Sequence, residues 1–543
     1  MQFYRQVKVI NHHLSSNVNT RIYADLLLHK SLRISYLNLN QNHLSTFQHF
    51  NKKSKSDQQI IYSILNNPVS NKCNQKKNIQ IEEIIDPKLI HQISIQHDLK
   101  EKLLIINSKK FNINNLKFSY LWLRDSCESD SSIDKFTKQK LFKSSDIPLN
   151  IYPIKSELLL NDQIELRLTW SHHLLSNQTK KDEPDISLFK LSFLLNHSNI
   201  TNYQNHQNKQ NLLDPKLWID YQKEEEEEEE GNRIVKLKNQ DELFINFNQL
   251  INNHDKQKNR YEILKQLNQD GIIFFNDLKD VNHENQTSIN YLNQLIEYLG
   301  LDTRSTFYGN YWDVKFEGKD AKNVANTNLP LDLHMDLLHF QNPPRFQFLY
   351  CLKNQVKGGK SSFVDGYSTL KALFFKNPKH FKILNENLIS FKYKNANHFT
   401  FYQHPTIELK TNIKFKDLTN HNLIQSINSL NYSPPFQSNF GYNLDNSRND
   451  DHIRNQIDLF NALTTFDQLL HQPKYSFELL LEPGQCVAFD NRRILHARTA
   501  FENDDHDLNS LGVKRWLRGC YVDGDSVWDR IRFLSESFEE KEI

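Results

Sequence analysis

Apolar and polar residues follow two different periods along this chain, and the change of period divides it. Residues 102–107, 118–123 and 164–170 alternate apolar and polar between clusters of Asn, Asp and Ser, which predicts short strands of a small antiparallel domain. Further along, Tyr261, Leu264 and Leu267 recur at helical spacing, and Asp270-Gly271 supplies a stop signal. The continuous apolar run 272–275 then has the length of a strand buried on both faces. A second helix carries Leu292, Leu295, Ile296 and Leu299 on one face and ends at Gly300, a residue suited to a left-handed cap. Beyond it strands are expected to dominate until a last helix striped by Val527, Ile531 and Leu534. No internal repeat is evident.

The polar stretches between these patterns set the domain plan. Residues 1–55 carry Arg5, Lys8, Arg21, Lys30, Arg33, Lys52, Lys53 and Lys55 but a single acid, Asp25, the profile of an organellar transit peptide. A mitochondrial address is the expectation. Glu224 to Glu230 form a block of like charge that resists burial and reads as a solvated linker. The plan is therefore a targeting leader at 1–75, a small β-rich domain at 76–222, an acidic linker at 223–235 and a larger domain at 236–543.

Composition narrows the classes. With 13 Gly and 15 Pro in 543 residues the chain is globular, not collagen-like or low-complexity. No apolar run approaches the ~18 to 20 residues of a membrane-spanning helix, so membrane insertion is not expected. Lys and Arg total 67 against 65 Asp and Glu, which gives no reason to expect a nucleic-acid partner. Five cysteines at wide spacings suit free thiols in a reducing compartment.

Candidate chemistry concentrates in two segments. Residues 331–338 read Leu-Asp-Leu-His-Met-Asp-Leu-Leu, and in a strand Asp332, His334 and Asp336 share the face opposite Leu331, Leu333, Met335 and Leu337. The alternatives are a metal site or a wet sheet face. His-x-Asp alone is weak, since 23 histidines produce roughly one or two such matches by chance. A second segment, 486–498, reads as strand, polar turn, strand and carries His496. Two imidazoles and one carboxylate leave coordination positions open on an ion, the arrangement that non-haem Fe(II) oxygenases need. His334, Asp336 and His496 are thus the candidate metal and catalytic triad. Downstream, Arg515, Leu517, Gly519 and Tyr521 share a strand face, where a guanidinium is able to clamp a dicarboxylate, and Ser361 after Gly358-Gly359 offers a hydroxyl. A surface salt bridge is the plain alternative for Arg515.

These segments, together with Phe307-Tyr-Gly-Asn-Tyr-Trp312, Asn323-Val-Ala325, Val364-Asp365-Gly366 and Phe489-Asp-Asn-Arg492, resemble the γ-butyrobetaine dioxygenase and trimethyllysine dioxygenase family, most closely its fungal branch. The resemblance runs from about Phe118 to nearly the C-terminus. It implies a mainly β fold with flanking helices: a double-stranded β-helix (jelly-roll) catalytic domain behind a small β-rich N-terminal domain. It further implies Fe(II), 2-oxoglutarate and O2, with ascorbate as reductant and a homodimer as the assembly. By the same resemblance His334, Asp336 and His496 hold the iron, and Arg515 with Ser361 receives 2-oxoglutarate. Tyr308, Trp312 and Tyr521 match positions that cage a trimethylammonium group, and Asn323 matches a residue near the substrate carboxylate. Aromatic faces suit such a cation because it has no N–H to donate. For Tyr308 and Trp312, ordinary core packing is the competing reading.

Three departures from the family stand out. Asn326 and Leu337 replace expected aromatic residues beside the cage, which leaves the exact substrate open. Near Leu123-Arg-Asp-Ser-Cys127 only one of the usual cysteines is present, and with His172 or His173 it does not complete a tetrahedral site, so no structural zinc is expected. Packing around Trp122 and Trp170 is expected to hold that domain instead. The readings are γ-butyrobetaine hydroxylation, hydroxylation of trimethyllysine or a related substrate, and a catalytically silent binding protein that keeps the fold.

Overall fold

The computed structural model describes residues 92–160, 163–174, 184–199, 214–220, 244–278, 289–317, 321–411, 413–440, 449–502 and 514–539. The chain divides into two compact units that part between Leu194 and Leu195. The expected leader at 1–75 and the Glu224 to Glu230 run lie outside the described residues.

The first unit contains two antiparallel three-stranded sheets. One is β1 (Ile93–Asp98), β2 (Leu103–Ser108) and β3 (Ile113–Ser119), and helix α1 (Tyr120–Asp125) follows it. The other is β4 (Pro153–Leu160), β5 (Ile164–Trp170) and β6 (Ile186–Lys190). The expected strand at 118–123 is corrected: the chain leaves the sheet at Ser119. The Ser119 hydroxyl accepts the Trp122 amide at 3.1 Å and caps a helix where alternation alone predicted continued strand. Trp170 is buried and its Nε1 donates to Ser187 Oγ at 2.8 Å, while half-buried Trp122 stacks on Phe118 with ring centroids 5.1 Å apart. A buried Arg124–Asp185 pair at 3.0 Å adds a charged tie, and Cys127 Sγ lies 3.1 Å from Ser129 Oγ.

In the second unit the chain runs through β7 (Phe244–Asn246), α2 (Lys256–Asp270), β8 (Ile272–Asn276), α3 (Ile289–Leu299), β9 (Tyr311–Lys315), β10 (Leu331–His334) and β11 (Phe346–Asn354). It continues through β12 (Ser361–Asp365), α4 (Gly366–Lys376), α5 (Pro378–Glu386), α6 (Asn449–Leu470) and β13 (Ser476–Leu479). The last elements are β14 (Cys486–Asp490), β15 (Ile494–Arg498), β16 (Arg515–Val522) and α7 (Gly524–Glu539). A six-stranded sheet has the order β7-β8-β14-β11-β16-β9, and a four-stranded sheet has the order β10-β15-β12-β13. Pairing is antiparallel except between β7 and β8.

The run 272–275 shows why β8 has no polar face. Ile272 and Phe274 enter the core shared by the two sheets, where the Phe274 and Phe363 rings lie 5.9 Å apart, while Ile273 and Phe275 pack with α2, α3 and α7. Gly271 and Gly300 close α2 and α3 at φ of 77° and 69°, as the stop signals predict. Strands dominate between Gly300 and the last helix, as the pattern predicts, although helices also stand among them. α4, α5 and α6 intervene, and their buried Leu370, Leu373, Phe381, Leu384, Phe466 and Leu470 build one side of the larger core.

Candidate active site

The site begins where β10 stops. His334 and His496 are register partners of β10 and β15, and their ring centroids lie 4.1 Å apart. His334 Nδ1 is 2.7 Å from the Asp332 carbonyl oxygen. A carbonyl only accepts, so Nδ1 carries a proton, and the neutral tautomer that fits this contact has its lone pair on Nε2. That Nε2 faces Asp336 Oδ1 at 3.5 Å. Asp336 itself lies beyond the strand, before Leu337, whose φ of 60° turns the chain. The expected sharing of one face by three polar residues is therefore corrected. Asp332 points outward with its side chain 70% exposed and pairs with His471 at 3.0 Å, leaving His334 and Asp336 inside.

One ligand atom from each of His334, Asp336 and His496 lies within 4.8 Å of the others, and among the described residues this is the group so arranged. Burial alone would raise the Asp336 carboxyl. The close approach of the His334 ring, the imidazole of His496, and the Tyr521 hydroxyl, which donates to Asp336 Oδ2 at 2.9 Å, hold it well below the usual carboxylate range. Burial, aided by His334, pushes His496 down to about 3, and its Nδ1 has no hydrogen-bond partner. A neutral imidazole beside an ionised carboxylate is the protonation state in which such groups bind a divalent metal. The donor set fits iron with positions to spare.

All nine residues expected from sequence line one cavity: Tyr308, Trp312, Asn323, His334, Asp336, Ser361, His496, Arg515 and Tyr521. Arg515 is 3% exposed, its Nε has no partner, and its guanidinium lies 5.6 Å from the Phe501 ring centroid. Gly359, at φ of 70°, makes room for it, because a Cβ there would stand 3.2 Å from Arg515 Nε. Arg498, unnoticed in the sequence, also lines the cavity and is buried. Burial lowers both guanidinium groups to about 10, and Arg515 adds repulsion at Arg498. Arg498 is held by the carbonyls of Ala325, Thr327 and Leu329 at 2.6 to 2.8 Å. Two buried cations without a carboxylate partner among the described residues form a place for an anion. Ser361, register partner of Arg498, presents its hydroxyl-bearing residue to the same space.

The opposite lining is aromatic. Trp312 and Tyr521 have ring centroids 5.0 Å apart, and Asn323 Nδ2 donates to the Tyr308 hydroxyl at 3.3 Å. Asn326 and Leu337 also face the cavity, as does Phe436. Phe436 had no sequence signal, since it lies far from every matched motif and comes in beside the helical insertion. Arg498 had one: it stands two residues after His496 on the same strand and therefore on the same face.

Comparisons with known proteins place the chain in a family. Residues 238–521 match the family model of the taurine catabolism dioxygenases, TauD and TfdA. A dioxygenase (str8) of Strobilurus tenacellus is 32% identical over 77% of this chain and 85% of its own length. The γ-butyrobetaine dioxygenase of Pseudomonas sp. is 32% identical over 42% of this chain and 53% of its own length, so the match spans about half of that relative. The trimethyllysine dioxygenase of Meyerozyma guilliermondii is 24% identical over 77% of this chain and 90% of its own length. The chain belongs to the TauD/TfdA dioxygenase family and is a 2-oxoglutarate-dependent dioxygenase.

Proposed function

We propose that this dioxygenase hydroxylates a trimethylammonium carboxylic acid, with γ-butyrobetaine as the first candidate, on a double-stranded β-helix catalytic domain. One observation carries the reading: a single cavity joins a two-histidine, one-carboxylate set to two buried guanidinium groups without a carboxylate partner among the described residues and to the rings of Tyr308, Trp312 and Tyr521. When bound, Fe(II) and 2-oxoglutarate supply the oxidising chemistry. The chain supplies position. His334, Asp336 and His496 would hold the metal, and Arg515 with Ser361 would orient the cosubstrate carboxylate. The aromatic faces would attract the quaternary ammonium and keep water from it.

Trimethyllysine is the second reading. It is favoured by the fuller overlap with the trimethyllysine enzyme, which is matched over 90% of its length. Mitochondrial import belongs to the same proposal, supported by the basic, acid-poor residues 1–55, and is checked by the organelle to which residues 1–75 deliver a fluorescent fusion.

The test is a turnover panel with Fe(II), ascorbate, 2-oxoglutarate and each candidate acid, read as a 16 Da gain with matching succinate. Arg515→Ala should raise the 2-oxoglutarate requirement at least tenfold and the substrate requirement far less. Succinate formed without a hydroxylated product would reject the trimethylammonium substrates. No binding of 2-oxoglutarate would favour a silent binding protein.

A further inference from the structure

The Asp336 backbone is held in place by a side chain from the other half of the site. β10 pairs with β15 as far as His334 and His496, and there the strand ends. Two residues later, Asp336 N–H donates to Asn491 Oδ1 at 2.8 Å, and Asn491 Nδ2 donates to the Asp336 carbonyl oxygen at 3.1 Å. In an antiparallel ladder, opposed residues exchange both N–H···O bonds in this way. The Asn491 amide therefore prolongs the pairing past the point where the backbone has turned away.

The amide orientation follows from its partners. Nδ2 also donates to the Pro344 carbonyl at 3.2 Å, so two acceptors face the nitrogen and one donor faces the oxygen. Asn491 is fully buried, which removes competition from water. Its own N–H donates to the Arg345 carbonyl at 2.7 Å. The turn is braced further by Arg493, which grips both oxygens of buried Asp365 at 2.8 and 2.9 Å. Asn491 is thus a rigid projection of the β14–β15 connection, and β15 carries His496.

We propose that Asn491 is a positioning residue of the metal site, whose side-chain amide fixes the Asp336 backbone relative to His496 and so sets the distance between two ligands that lie 160 positions apart in the sequence. Alanine leaves the N–H and the C=O of Asp336 without these partners and frees the turn at Leu337. Serine keeps a polar atom but does not span both groups.

Mn(II) alone is the probe, titrated into the full chain with the free ion followed by electron paramagnetic resonance. Asn491→Ala and Asn491→Ser should each raise the Mn(II) dissociation constant ten- to a hundredfold, the usual effect of losing a residue that orients a ligand. Ile531→Ala, a core truncation in α7, should lower the melting temperature and leave that constant unchanged. Should Asn491→Ala fail to fold, Asn491→Ser decides. Wild-type Mn(II) affinity in a folded Asn491 variant would overturn the proposal and leave the residue a purely structural part of the turn. Absence of Mn(II) binding by the natural chain would overturn it together with the metal assignment.

Discussion

At the residue scale, burial sets the protonation states around the cavity. His339 is 1% exposed, its Nδ1 is 2.7 Å from Thr400 Oγ1, and it packs on Tyr393 and Phe436. Burial pushes its imidazole down to about 4, against the opposing pull of the Asp336 charge. In the unfolded chain a histidine titrates near ~6.5. Between those values the unfolded state binds more protons than the folded one, so this stabilisation is present above pH ~6.5 and is lost as pH falls toward 4. Buried His404 shifts in the same direction. The melting temperature should accordingly drop between pH 7 and pH 5 by more in the natural protein than in His339→Gln, as measured by calorimetry. An equal drop would remove His339 from the account.

At the element scale, β16 and β9 show how a strand pair builds one wall of the cavity. Gly519 is the register partner of Trp312, and a Cβ on Gly519 would meet the Trp312 ring at 2.4 Å. The bare backbone lets the indole lie flat across the strand and reach Tyr521. Gly519→Ala should push Trp312 from that position and raise the KM for the substrate about tenfold or more while the 2-oxoglutarate KM changes little. Steady-state kinetics with each component varied separately checks this. A loss shared equally by both would point to damage of β16 as a whole. The helices α4 to α6 belong to the same scale. Between α5 and α6 a short turn at Pro434–Phe436, bridged through Gln437 to Phe391 and packed on His339 and Tyr393, brings Phe436 to the cavity, although its local sequence resembles none of the matched motifs.

At the scale of the whole molecule, the aromatic cage positions came only with the family resemblance, but the sequence by itself offered the donor set and a guanidinium for an anion, because these depend on residue type and on spacing over a few neighbours. His334, Asp336 and His496 were legible in that way, and so were Gly271 and Gly300, whose conformational freedom marks a helix end locally. Alternation misled where an interaction from outside the pattern intervened. Ser119 turned a strand into a helix by capping it, and the turn at Leu337 parted Asp332 from the site. What only the tertiary structure decided are relations between distant segments: the Arg498 grip on three carbonyls, the Asn491 amide paired with Asp336, and the placing of Phe436. Each joins groups far apart in the chain, and no local pattern encodes a contact whose two halves meet only after the sheets have packed.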